Sequence, residues 1–147
     1  MDQTEVSYNY DTVNTKAQHI TVGKLGEAVA EQYFRARGHK VLDRNYQRPW
    51  GEIDLITVRG GRVFFLEVKT VAHGSSVELE RYRKDASYSP EQHVDKQKKL
   101  KLSRIIESWR AAHKIDVPMQ IDVVAVHVIQ SEKRAVVNVF SNIDLYG

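Results

Sequence analysis

The stretch Gly51–Thr70, GEIDLITVRGGRVFFLEVKT, decides the fold. Gly60-Gly61 is a favoured two-residue hairpin turn, and the segments on either side are rich in β-branched, aliphatic and aromatic residues. With a two-residue loop, Arg59 pairs with Arg62, Asp54 stands opposite Glu67, and Glu52 stands opposite Lys69. Strand side chains alternate between faces. Glu52, Asp54, Glu67 and Lys69 therefore share one face, continued toward the turn by Ile56, Val58, Val63 and Phe65. Ile53, Leu55, Phe64, Leu66 and Val68 line the other. Both faces are apolar near the turn, as central strands covered by helices on each side require. One more residue in the loop would slip the register and exchange the faces.

The charges at the far end of this hairpin carry the chemistry. Two carboxylates directly opposed across a strand pair have Cβ atoms about 4.5–5.5 Å apart and repel. A divalent cation between them removes that cost. Oxygen ligands without nitrogen or sulfur donors suit Mg²⁺ or Mn²⁺. Lys69, two residues after Glu67, is placed to orient or deprotonate a water and to neutralise a phosphate. A metal ion with a positioned water is a general means of phosphodiester hydrolysis. The bland alternative pairs Glu52 with Lys69 and leaves Asp54 and Glu67 to solvent at the sheet edge. On strands otherwise apolar, the full set of four favours the metal reading.

Outward from the hairpin, residues 1–18 lack periodicity and read as a disordered tail before a single domain over residues 19–147. Thr21 is a helix N-cap, Leu25, Val29, Tyr33 and Ala36 recur at helical spacing, and Gly38 ends the helix. Val41–Tyr46 is a short strand. Val71–Tyr88 is polar and reads as a long surface loop. Ser89-Pro90-Glu91-Gln92 carries helix-start signals, with Leu102, Ile105, Ile106, Trp109 and Ala112 as the apolar stripe that follows. Gln120–Ile129 and Ala135–Phe140 form a second hairpin. The order is helix, three strands, helix, two strands, an α/β arrangement.

The chain has 147 residues, 22 Lys plus Arg against 19 Asp plus Glu, and no cysteine. Disulfide scaffolds, thiolate zinc sites and cysteine nucleophiles are excluded. No apolar run approaches the roughly 20 residues that span a bilayer, and the polar N-terminus lacks a signal-peptide core, so the expected location is the cytoplasm, with no membrane partner. The net charge of +3 is weak guidance alone. Its distribution says more: Arg81, Arg83 and Lys84, then Lys96, Lys98, Lys99 and Lys101, concentrate positive charge as phosphate tracking requires. A solvated helix face is the usual explanation of such a run. Trp50, Tyr82 and Tyr88 read as rim of the core, and none of the six histidines as a metal ligand.

Asp54 followed by Glu67-Val68-Lys69 resembles the PD-(D/E)xK motif of the restriction-endonuclease-like nucleases. The wider series resembles the uncharacterised YraN-type family of predicted nucleases, similar to archaeal Holliday-junction resolvases. It comprises Gly23-Lys24-Leu25-Gly26-Glu27-Ala28, Leu42-Asp43-Arg44-Asn45-Tyr46, Gly51–Ile56, Phe65–Thr70, Lys96-Gln97 and Asp122–Val126. The chain departs from that pattern at Val71, where Arg is expected, and at Gln120-Ile121-Asp122, where Arg-Phe-Asp is usual. The resemblance implies a restriction-endonuclease-like αβββαβ core with a mixed β-sheet flanked by helices. It also implies metal ligation by Asp54 and Glu67, a catalytic role for Lys69, and a supporting carboxylate at Glu27. The expected activity is metal-dependent DNA endonuclease, with branched or structured DNA as substrate, a role in repair or recombination, and a homodimer as assembly. The rival is a non-catalytic nucleic-acid-binding module of the same fold. A third reading uses the Val-rich C-terminal hairpin as a partner-binding face.

Overall fold

Gly60 and Gly61 both take positive φ, +57° and +75°, as the central residues of a type I′ turn require. A computed structural model describes residues 2–7, 21–85 and 95–143 of the chain. The hairpin strands are β3 (Gly51–Arg59) and β4 (Arg62–His73). Before them come β1 (Asp2–Ser7), α1 (Val22–Ala36) and β2 (Lys40–Arg48). After them come α2 (Ser76–Lys84), α3 (Lys96–His113), β5 (Met119–Ile129) and β6 (Arg134–Phe140). The strands form one sheet in the order β1-β6-β5-β4-β3-β2. β4 and β5 are parallel, and the other neighbours are antiparallel. The sequence α1-β2-β3-β4-α3-β5 is the expected αβββαβ core, with a mixed sheet. No helix among the described residues is long and apolar enough to cross a membrane.

Two helices cover opposite faces of the sheet. Leu25, Val29, Tyr33 and Phe34 of α1 pack on Leu55, Leu66, Val124, Val126 and Val128. Leu102, Ile105, Ile106 and Trp109 of α3 pack on Ile56, Val63, Phe65 and Val123. Trp109 meets Phe65 edge to face, with centroids 5.5 Å apart, a geometry that suits the aromatic quadrupoles.

The hairpin register is the expected one from Arg59↔Arg62 to Leu55↔Leu66. Beyond that point the strict alternation fails. Ile53, expected with Leu55, packs instead with Ile56 in the α3-side core, because the ladder is interrupted at Asp54 on both sides. Three further expectations change. Residues 2–7, expected as part of the tail, form β1 against β6: backbone hydrogen bonds complete an open sheet edge without needing an apolar pattern. Residues 8–20 lie outside the described residues. The expected Val71–Tyr88 loop holds the end of β4 and all of α2. Ser75 caps that helix by accepting from Glu78 N–H, while Glu78 accepts from Gly74 N–H at 2.7 Å, and Leu79 anchors it on Ile129 and Val136. Finally, α3 starts at Lys96 with Asp95 as its N-cap rather than at Pro90; Ser89–Gln92 falls outside the described residues.

The α1 backbone runs so close to β4 that a Cβ on Gly26 would sit 1.8 Å from Thr70 Oγ1. On helix propensity alone, Gly→Ala gains about 1 kcal/mol. Here the clash reverses the sign. Gly26→Ala is expected to cost about 1–3 kcal/mol, the usual range for overpacking. Gly23→Ala should be neutral or stabilising, because its Cβ would meet nothing nearer than Thr21 Oγ1 at 4.0 Å. Thermal unfolding of the two variants checks the contrast, and equal melting temperatures would contradict it.

Candidate functional site

Asp54 stands one residue beyond Leu55↔Leu66, the last pair of the β3–β4 ladder. There Val68 N–H donates to Asp54 Oδ2 at 2.7 Å. A side-chain carboxylate has replaced the backbone acceptor of the ladder, which keeps a central-strand N–H satisfied and fixes the carboxylate in the gap between strands. On the other side Arg44↔Leu55 and Tyr46↔Ile53 pair but the position between them does not. Asn45, which occupies it, takes φ +49°, a conformation that Asn tolerates better than most residues.

Opening the ladder here brings three acids together. One carboxylate oxygen from each of Glu27, Glu52 and Asp54 lies within 4.8 Å of the others, a group found nowhere else among the described residues. Glu27 comes from α1, and the close approach at Gly26 is what lets that turn of the helix reach the sheet. Its flank is held by Lys24, whose Nζ lies 3.2 Å from Glu27 Oε2 and 3.5 Å from Asn45 Oδ1. Glu52 accepts from Gln47 Nε2 at 3.3 Å.

Burial, and after it the charge of Glu67, pushes the Asp54 carboxyl up to about 7; Glu27 and Glu52 add to the shift and the Val68 N–H opposes it. Lys24 pairs with Glu27 from the flank, but Glu67, Glu27 and Glu52 still act against the charge of Asp54. All-oxygen donors of this kind fit a hard divalent cation such as Mg²⁺ or Mn²⁺.

Glu67 lies on the opposite flank, toward α3, and is 10% exposed. Its Oε1 takes two ammonium groups, Lys69 Nζ at 3.2 Å and Lys98 Nζ at 2.5 Å. Burial and the neighbouring Lys98 pull the Lys69 pKa down from its ordinary value. Burial acts the same way on Lys98, but Glu67, Lys69 and Asp54 outweigh it and raise that pKa.

The structure thus brings Glu27, Asp54, Glu67 and Lys69 to one end of the hairpin, in two subgroups rather than one flat row. Lys69 pairs with Glu67, not with Glu52. Glu67, expected beside Asp54 as a ligand, is outside the three-carboxylate group. The expected basic run is divided. Arg81, Arg83 and Lys84 lie on α2, where Arg83 pairs with Glu80 at 3.3 Å and turns its charge toward the buried His73–His127 pair. Lys96, Lys98, Lys99 and Lys101 lie on the first turns of α3. Sequence reasoning placed Glu52 on the charged face without a ligand role, left out Lys24, and placed Lys98 only in the basic patch. The spacing Lys24–Glu27, one turn apart, was the available signal for Lys24. Asp122 is buried elsewhere and ties down the C-terminal segment by accepting from Gln120 Nε2 and Asn142 N–H, each at 2.8 Å.

Residues 26–126, which hold the four carboxylates, Lys69 and Lys98 of this site, match the uncharacterised protein family UPF0102. The chain belongs to that family. UPF0102 proteins with which it shares similarity include one from Paenarthrobacter aurescens, 35% identical over 71% of this chain and 78% of the relative. Another, from Thermodesulfovibrio yellowstonii, is 32% identical over 74% and 87%. A third, from Moorella thermoacetica, is 31% identical over 80% and 89%. The UPF0102 match runs from within α1 to within β5 and takes in all of the site but Lys24.

The raised carboxyl makes a pH prediction with a definite sign. The unfolded Asp54 titrates near pH ~4 and the folded one at about 7. Below ~4 both states hold the proton and stability is unaffected. Between ~4 and about 7 the unfolded chain sheds a proton that the folded chain keeps, so stability falls as pH rises; above that the penalty is constant. Asp54→Asn removes the charge yet keeps an oxygen for Val68 N–H. In EDTA it should match the parent near pH ~4 and exceed it near pH ~8 by on the order of 2–4 kcal/mol. Urea denaturation at the two pH values reads this, and a gap that does not grow with pH would contradict it.

Proposed function

We propose that this UPF0102 protein is a divalent-cation-dependent nuclease hydrolysing phosphodiester bonds in DNA. The observation that carries the proposal is the convergence of Glu27, Glu52 and Asp54 within 4.8 Å beside the Glu67–Lys69 pair. Asp54, fixed by Val68 N–H, supplies the anchoring oxygen for Mg²⁺ or Mn²⁺, with Glu27 and Glu52 alongside and Glu67 approaching from the α3 side. The cation contributes Lewis acidity toward a phosphodiester and an acidified water. Lys69 is held by Glu67 within a partly buried environment that lowers its pKa, so its amine is suited to orient and deprotonate the attacking water. The lysines on the first turns of α3 supply charge for the nucleic-acid backbone. The likeness to resolvases favours branched or structured DNA as the substrate.

A labelled panel of single-stranded, duplex, flap and four-way-junction DNA, each with Mg²⁺, Mn²⁺ or EDTA, tests the proposal. Cutting should require the metal and disappear in Glu67→Gln. Lys69→Met should lower the rate by about 10²–10⁴, the usual worth of a positioned acid or base, while retaining Mn²⁺ binding. Duplex binding without cutting, indifferent to Glu67→Gln, would replace the nuclease by a non-catalytic nucleic-acid-binding module.

A further inference from the structure

Two ammonium groups share one oxygen of Glu67, and they are not equivalent. Lys69 follows Glu67 by two residues on the same strand, so its position is set by β4. Lys98 arrives from another element. Its backbone is fixed by the α3 cap, where Lys98 N–H donates to Asp95 Oδ1 at 2.8 Å, and its side chain crosses to Glu67 Oε1 at 2.5 Å. Among the described residues, no other lysine of the Lys96–Lys101 run makes an ion pair with a site carboxylate. The Lys98 side chain is 30% exposed, so solvent and solutes reach it.

This contact has a consequence for the carboxylates. Glu67 is drawn toward α3 and lies outside the group formed by Glu27, Glu52 and Asp54. A divalent cation brought against Glu67 in this arrangement faces an ammonium already in contact with the same carboxylate. Cation and Lys98 therefore compete for Glu67. A phosphate-rich backbone lying along the exposed lysines at the start of α3 competes in turn for Lys98, with counterion release adding to the exchange.

We propose that Lys98 is a positioning residue that occupies Glu67 in the free protein and gives it up to a substrate phosphate, so that Glu67 joins the cation site when nucleic acid binds. The inference rests on the metal-dependent nuclease reading of this site. Substrate and cation then bind with positive coupling, and reciprocity requires each to strengthen the other.

Two binding measurements test it without turnover. Lys98→Met should bind Mn²⁺ alone about fivefold or more tightly than the parent, within the usual range of coupling between sites. Lys98→Arg, which can still hold Glu67, should return toward the parent. A purely structural role for Lys98 would make the methionine variant weaker, and unchanged or weaker Mn²⁺ binding overturns the proposal. Secondly, in EDTA, Glu67→Gln should strengthen binding of a short DNA duplex by releasing Lys98, and the gain should vanish in the Lys98→Met background. A gain that survives there is a general charge effect and also overturns the proposal. Tighter Mn²⁺ binding by Lys98→Met with no cleavage of any DNA would retain the competition of cation and Lys98 for Glu67 and remove the nuclease reading.

Discussion

The hydrogen bond from Val68 N–H to Asp54 Oδ2 is the constraint on which the site depends. A central strand pair normally satisfies each interior N–H with a carbonyl across the ladder. Here the ladder ends at Leu55↔Leu66, and a carboxylate takes the next acceptor position. That substitution keeps a half-buried acid in place despite a pKa pushed up to about 7. It also ends the strict alternation along β3, so Ile53 joins the α3-side core while Leu55 remains on the α1 side. An irregularity at the edge of a regular hairpin thus separates the packed end of the sheet from the end that carries charge.

Around that opening the two helices contribute differently. α1 reaches the sheet because Gly26 permits near-contact with Thr70, and it delivers Glu27. α3 delivers a cation, Lys98, to Glu67 on the other flank. Glu27 and Glu52, with Lys24 on their flank, therefore meet Asp54 on one side, and Glu67 with its two ammonium groups lies on the other. For a metal-dependent phosphodiesterase this polarity is useful: the acid side holds a cation, and the basic side receives a phosphate. The two are linked through Glu67, which both sides can engage.

The parts of this architecture legible in the sequence are those set by short-range physics. Gly60-Gly61 demanded a tight turn, and its two-residue length fixed the pairing as far as Leu55↔Leu66. Thr21 and Gly38 marked the ends of α1 through capping alone. The family resemblance located Glu27, which no periodicity would single out from an ordinary helix-end charge. What escaped depends on contacts between distant segments. Alternation placed Glu52, Asp54, Glu67 and Lys69 on one face, and could not anticipate an acid entering the ladder. The pairing of β1 with β6 uses backbone groups and leaves little trace in side-chain pattern. α2 was visible in principle through Ser75 and Glu78 at capping-box spacing, yet its single buried residue, Leu79, gave no stripe. Lys98 looked like one charge in a solvated run, since its direction is set by where α3 docks.

The most direct test of the central claim is the position of a bound cation. Crystals soaked in Mn²⁺ and measured for anomalous scattering should show a peak coordinated by Asp54 together with Glu27 or Glu52, and lost in Asp54→Asn. Well-diffracting crystals with no peak at these carboxylates, or with manganese bound only elsewhere on the surface, would contradict the account.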